Sequence, residues 1–223
     1  MMPMLADLRL TPSGRIGSCS KRKNVGNPRN IVELPKRMRG CRIVAMSGSN
    51  VVMVPFTPID KRAAYDIRLL KPHPVALTYY SNRGDGYLSL GSYMSGENES
   101  EARFPESQPI VMSYRGKNQE EKTMQVYIAT ENGKPPPLPK DRSVILDVAG
   151  GEVIAAKRFE GSATKEICDL VRQKLLQALA QDGVSTVRDA SWDSSNDFQL
   201  AQYGPLHSLS PRLNEIWIKV KLV

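Results

Sequence analysis

The stretch Val153-Ile-Ala-Ala-Lys-Arg-Phe-Glu-Gly-Ser-Ala-Thr-Lys-Glu-Ile-Cys-Asp-Leu-Val-Arg-Gln-Lys-Leu-Leu-Gln-Ala-Leu-Ala-Gln-Asp-Gly183 changes character halfway along. Val153–Phe159 is short, apolar and bounded by turn residues, which is the pattern of a strand. From Lys165 to Gln181 the apolar residues Ile167, Leu170, Val171, Leu175, Ala178 and Leu179 fall on one face of a helix. Thr164 is a natural N-cap, because its hydroxyl can accept one of the amide hydrogens that the first helical turn leaves without a partner. Asp182-Gly183 supplies the stop. A strand thus feeds a helix across a short turn.

Working outward, the same order occurs twice. In the first half Tyr65–Leu70 alternates at period two, Pro72 and Pro74 interrupt it, and Val75–Tyr80 continues as a strand. The cluster Asn82–Gly86 reads as a turn. A short helix is expected after it, with Tyr87, Leu90, Tyr93 and Met94 at i, i+3, i+6 and i+7. Pro109–Tyr114 and Met124–Ala129 are the next two strands. A proline-rich connector, Lys134–Pro139, leads to the second half. There Ser143–Val148 and Val153–Phe159 flank the Gly150-Gly151 turn, and the long helix follows. Phe198–Tyr203 and Glu215–Val223 close the domain. The last strand places Ile216, Ile218, Val220 and Leu222 on one face and Trp217, Lys219 and Lys221 on the other. Val51–Pro55 is read as a first strand or the lead into one. The expectation is an α+β domain over residues 51–223, a duplicated strand-strand-helix-strand-strand unit.

The chain has 223 residues, 40% hydrophobic and 24% charged, and a net charge of +8. That charge is local. Ten of the 31 Lys/Arg lie in residues 1–50, with only Asp7 and Glu33 as acids, so the remaining residues hold 21 of each sign. A neutral body argues against a nucleic-acid module, whose basic stripe belongs on the fold. No apolar run is long enough to span a bilayer. Residues 1–50 read as a basic extended tail. Their poverty in acids, with the stretch Arg39–Ser47, resembles an organellar transit peptide, for which a chloroplast is the favoured compartment and the cytoplasm the alternative. The other reading is a flexible arm that docks on acidic partner proteins. Cys19, Cys41 and Cys168 have no zinc-type spacing.

Six segments resemble the SOUL/heme-binding protein family, in order and over about residues 51–223. They are Tyr65-Asp-Ile-Arg68 with Lys71-Pro72, Leu90-Gly-Ser-Tyr-Met-Ser-Gly-Glu-Asn98, Leu138-Pro-Lys-Asp-Arg-Ser-Val144, Phe159-Glu-Gly-Ser-Ala-Thr164, Ala201-Gln-Tyr-Gly-Pro205 and Arg212-Leu-Asn-Glu-Ile-Trp217. The resemblance implies a distorted antiparallel β-barrel of two four-stranded sheets flanked by two helices. It also implies non-covalent binding of heme or another tetrapyrrole, as a carrier or buffer and not as an enzyme, in an apolar groove beside the first helix. The cofactor-binding residues it suggests are Tyr93 and Met94 of that helix, Leu69, where some members carry a histidine, and Leu206 and His207 of the closing loop. His207 would be the iron ligand.

Taken as plain residues, Tyr93 and Met94 also read as core, and His207 as a solvated loop histidine. His73, between two prolines, reads as structural. Glu106 and Ser107 stand where the family usually has Met and Thr, and a carboxylate in an apolar pocket would be costly unless paired. No phosphate-binding loop, nucleophile elbow or His-Glu-x-x-His motif occurs. The competing functional expectation is a structural, linker-like subunit of a larger organellar assembly, such as a photosynthetic antenna or photosystem, built on the same fold without ligand.

Overall fold

The computed structural model describes residues 51–130, 134–187, 197–204 and 212–221. The basic tail, Leu206 and His207 lie outside the described residues. In chain order the elements are β1 (Val52–Met53), β2 (Phe56–Lys61), β3 (Asp66–Leu70), β4 (His73–Tyr79), α1 (Arg83–Met94), β5 (Ser107–Gln108), β6 (Ile110–Arg115), β7 (Glu121–Tyr127), β8 (Val144–Ala149), β9 (Val153–Glu160), α2 (Lys165–Gln181), β10 (Phe198–Gln202) and β11 (Leu213–Lys219).

Nine strands form one curled sheet in the order β2-β3-β9-β11-β10-β6-β7-β4-β8, every pairing antiparallel. β1 and β5 form a separate parallel pair. The duplication is visible in the order. Setting β2 aside, the quartets β3-β9-β11-β10 and β8-β4-β7-β6 are related by exchanging the two halves of the chain. The first strand of each half pairs with the second strand of the other, β3 with β9 and β8 with β4.

The expectation of two four-stranded sheets is therefore replaced by one continuous half-barrel. The quartets are joined by a ladder between β10 and β6, from Phe198↔Tyr114 to Gln202↔Ile110. The residues of that ladder explain why. Met112 and Leu200 are fully buried on one face, and Val111 and Ala201 on the other, so neither strand could serve as a solvated edge.

Both helices cover one face of the sheet. Leu90 and Tyr93 of α1 share a core with Leu175 and Leu179 of α2, Met112, Met124, Leu200 and Ile216. α1 packs on β4, β7 and β8, and α2 on β9 and β11. The opposite face is not solvated throughout. Leu70, Val111, Ile154, Ala156, Ala201 and Trp217 form a second cluster there, capped by Val54. β11 is consequently buried on both faces, with Ile216 inside the first cluster and Trp217 inside the second.

The helices refine the sequence reading. α2 spans Lys165–Gln181, and the Thr164 hydroxyl accepts from the Ile167 amide at 3.4 Å. Its buried stripe is Cys168, Val171, Arg172, Leu175 and Leu179, leaving Ile167 and Leu170 on the exposed flank. α1 begins at Arg83, inside the segment expected to be a turn. Asn82 caps it, its side-chain oxygen accepting from the Gly84 amide at 2.9 Å. Gly86 is closely packed: a Cβ there would meet the Met124 thioether at 3.1–3.2 Å, a contact to which the Met124 side chain would have to yield. β2 was not legible as a strand. Every residue of Phe56–Lys61 is exposed, and Pro58 lies at a bulge, as befits a strand that pairs on one side only.

Candidate ligand-binding site

The helix beside the expected groove divides its residues sharply. Tyr93 points inward and is 1% exposed. It stacks on Phe104 at 5.7 Å, and its hydroxyl donates to the Pro137 carbonyl at 2.9 Å. Burial pushes its pKa up to about 12. Met94 is half-buried against the same core. Leu69 lies on β3, paired with Val153 of β9, in the opposite quartet of the sheet from the strands that carry α1. The structure thus places Tyr93 and Met94 on the packed side of α1 and Leu69 apart from them.

The outward side of α1 has a different surface, which the sequence reading did not single out. Gly84, Leu88 and Gly91 recur at i, i+4 and i+7 and are all exposed. Leu88 is 71% exposed, more than any other large hydrophobic of the described residues. A Cβ added at Gly91 would touch nothing within 4 Å. An exposed helical glycine without a packing reason costs about 1 kcal/mol relative to alanine. The result is a low, flat surface with one apolar side chain at its centre. The signal for it was present in the spacing, but it surfaces only once the helix is known to begin at Arg83.

Tyr87 forms one flank of that surface. It is half-buried, and its hydroxyl donates to the Gln202 side-chain oxygen at 2.7 Å. Gln202 in turn donates to Asn214 at 3.0 Å, and Asn214 to the Gly161 carbonyl at 2.9 Å. Burial raises the Tyr87 pKa, against the charges of Arg83 and Arg212 and a hydrogen bond to Arg212. Arg212, at the end of the closing segment, is therefore beside the helix, and two guanidinium groups stand near the Tyr87 hydroxyl.

The remaining candidates are accounted for. His73 is 5% exposed, with Nδ1 2.6 Å from the Lys71 carbonyl oxygen and its ring edge-on to Tyr127 at 5.3 Å. Glu106 is exposed and accepts from Gln108 at 3.3 Å, so the carboxylate at the altered family position costs no desolvation. Cys168 is buried, which pushes its thiol up to about 11. Among the described residues no group of three or more His, Cys, Asp and Glu could hold a metal ion. No helix of the described residues is long and apolar enough to cross a membrane.

Two concavities open on the helix-bearing side. The larger, about 820 Å³, lies between Leu176, Leu179 and Val184 and the strand residues Phe198 and Ile218. The smaller, about 230 Å³, lies where the first turns of the two helices meet, between Arg83, Tyr80, Tyr114 and Cys168.

The motif residues have structural roles. Arg68 and Glu215 form a buried ion pair, Asn98 binds the loop after α1 through three hydrogen bonds, and Asn214 joins β11 to the entry of α2. The family model of the SOUL heme-binding protein matches residues 51–219. The chain belongs to the SOUL heme-binding protein family. No curated protein sequence matches it. Among solved structures it is similar in fold to a hydrolase from Listeria innocua, at 9% identity and TM-score 0.52, over 72% of this chain and 93% of that one. It is also similar to the C-terminal domain of EcmrR, at 10% identity and TM-score 0.50, over 75% of this chain and 99% of that one. At such identities the likeness is one of fold.

Proposed function

We propose that the domain binds heme or a related tetrapyrrole non-covalently on the outward face of α1, as a carrier or buffer rather than as an enzyme. The observation that carries this reading is the surface centred on Leu88, flat because Gly84 and Gly91 flank it, in a chain of a heme-binding family. A planar macrocycle can lie over this low surface, and burying Leu88 beneath it would recover part of the roughly 25 cal/mol per Å² that its exposure forgoes.

The residues present fit the remaining chemistry of such a ligand. Arg212, near the Tyr87 hydroxyl, suits the pairing of guanidinium with the carboxylate side chains at the edge of the ring. No described residue on this face of α1 is a histidine or cysteine. In this reading iron ligation falls to His207, with Leu206 beside it.

The test is an absorption titration with hemin and with metal-free protoporphyrin. Saturable binding of both, weakened at least tenfold by Leu88→Glu, is the expected result. His207→Ala should alter the hemin spectrum and leave protoporphyrin affinity unchanged. Binding that ignores Leu88→Glu would place the ligand elsewhere, and no binding of either compound would remove the reading.

A further inference from the structure

The small cavity between the two helix starts has a lining that the α1 surface does not explain. It is built from five separate elements and sits where the two halves of the sheet join, since Tyr114 of β6 and Phe198 of β10 are ladder partners there. Their rings stack at 4.9 Å and, with Cys168, form an apolar floor. The walls are cationic. Arg83 comes from α1, Lys122 from β7 and Lys165 from α2, and no carboxylate lines the cavity.

Arg83 is held in place rather than free to swing out. One of its terminal nitrogens donates to the Tyr114 hydroxyl at 2.8 Å and the other to the Ala163 carbonyl at 3.2 Å. The Tyr80 hydroxyl donates to Tyr114 at 3.1 Å, so the three polar groups form one fixed row above the aromatic floor. A guanidinium carries five N–H donors, and these two bonds leave others for a ligand. Lys165 is bonded to Asp169 at 2.9 Å, which moderates its charge at the rim. Asp169 also accepts from Gln119 at 3.2 Å, which fixes the turn on the far wall.

An aromatic floor beneath a fixed guanidinium recognises a flat apolar body with an anionic end. We infer that this cavity binds a small aromatic carboxylate, its ring on Tyr114 and Phe198 and its carboxylate on Arg83 with Lys122. About 230 Å³ accommodates a single substituted ring and excludes a tetrapyrrole, so the site is separate from the one proposed on the outward face of α1.

The full chain, titrated with benzoate and observed through ligand signals by nuclear magnetic resonance, tests this. Saturable binding is expected, at least tenfold tighter than that of neutral benzamide. Arg83→Gln should abolish it. Because Arg83 also bonds Tyr114 and Ala163, Lys122→Gln is the second variant, expected to weaken binding severalfold with unchanged thermal stability. Leu88→Glu should leave benzoate affinity unchanged, whatever it does to porphyrin binding. Equal affinity for benzoate and benzamide, or indifference to Lys122→Gln in a folded protein, overturns the site. Inorganic phosphate binding as tightly as benzoate overturns the role of the aromatic floor.

Discussion

Arg68 grips the carboxylate of Glu215 with two nitrogens, at 2.8 and 3.0 Å, across 147 residues of sequence. Glu215 is 1% exposed and also accepts from Arg158, Trp217 and Tyr203, each at 2.8–2.9 Å. Arg68 further pairs with Asp66 and lies 4.9 Å from the Phe56 ring centroid. Truncating one member of such a pair strands the other charge in a low-dielectric interior, at a cost of about 3–5 kcal/mol. Glu215→Gln is expected to destabilise the domain by that amount, read from the midpoint of urea unfolding.

The same carboxylate sets a pH dependence. Burial pushes the Glu215 pKa up, but the hydrogen bonds and charge of Arg68, with Trp217 and Arg158, outweigh burial and leave it below the ordinary 4.5. The unfolded chain therefore takes up the proton more readily than the folded one. The stability that Glu215 contributes is complete above about pH 4.5 and is lost as pH falls through the lower folded value. The urea midpoint should drop steeply below pH 4.5 in the wild type and less steeply in Glu215→Gln.

Two glycines make opposite predictions for one substitution. Gly91→Ala meets open space in the middle of α1 and should stabilise by about 0.5–1 kcal/mol. Gly150 has φ +97° and sits against the Lys71 carbonyl, so Gly150→Ala is both strained and obstructed. A loss of about 2 kcal/mol or more is expected. Thermal denaturation of the two variants side by side checks both.

Asn98 is fully buried and bonds the Tyr93 and Ala102 carbonyls and the Ala102 amide. Asn98→Ala should cost about 2–3 kcal/mol, because it leaves buried backbone groups without partners. Faster hydrogen exchange at Ala102 is the specific readout.

Leu88→Glu separates binding from folding. Leu88 is 71% exposed, so replacing it should change stability by no more than about 0.5 kcal/mol while porphyrin affinity falls. A melting curve run with the porphyrin titration measures both.

The fold was largely legible because its signals are local. The Thr164 cap and the Ile216, Ile218, Val220 alternation declare their elements without reference to the rest of the chain. Other features were hidden because their causes are distant or unpatterned. β2 has no buried face to impose a period. α1 starts at Arg83 because the Asn82 cap satisfies its first turn despite two glycines. The quartets join because Val111, Met112, Leu200 and Ala201 bury both faces of the β6–β10 ladder, which no periodicity rule for a single strand can foresee. The site was less legible than the fold for a related reason. Arg68, Asn98, Asn214 and Glu215, the residues that make the family visible, hold the structure together, and their motifs therefore speak about architecture. Leu88 and the glycines around it carry no motif at all.

The exchange of first strands between the halves makes each half a poor protein by itself. Residues 51–130 contain β3 but not β9, on which β3 is paired, and residues 134–221 contain β8 but not β4. Each fragment would present an open strand slot and an orphan strand, and the slot of one fits the orphan of the other. Cleaving the connector between them should therefore give two pieces that are unfolded apart and fold on mixing, by completing each other's sheets.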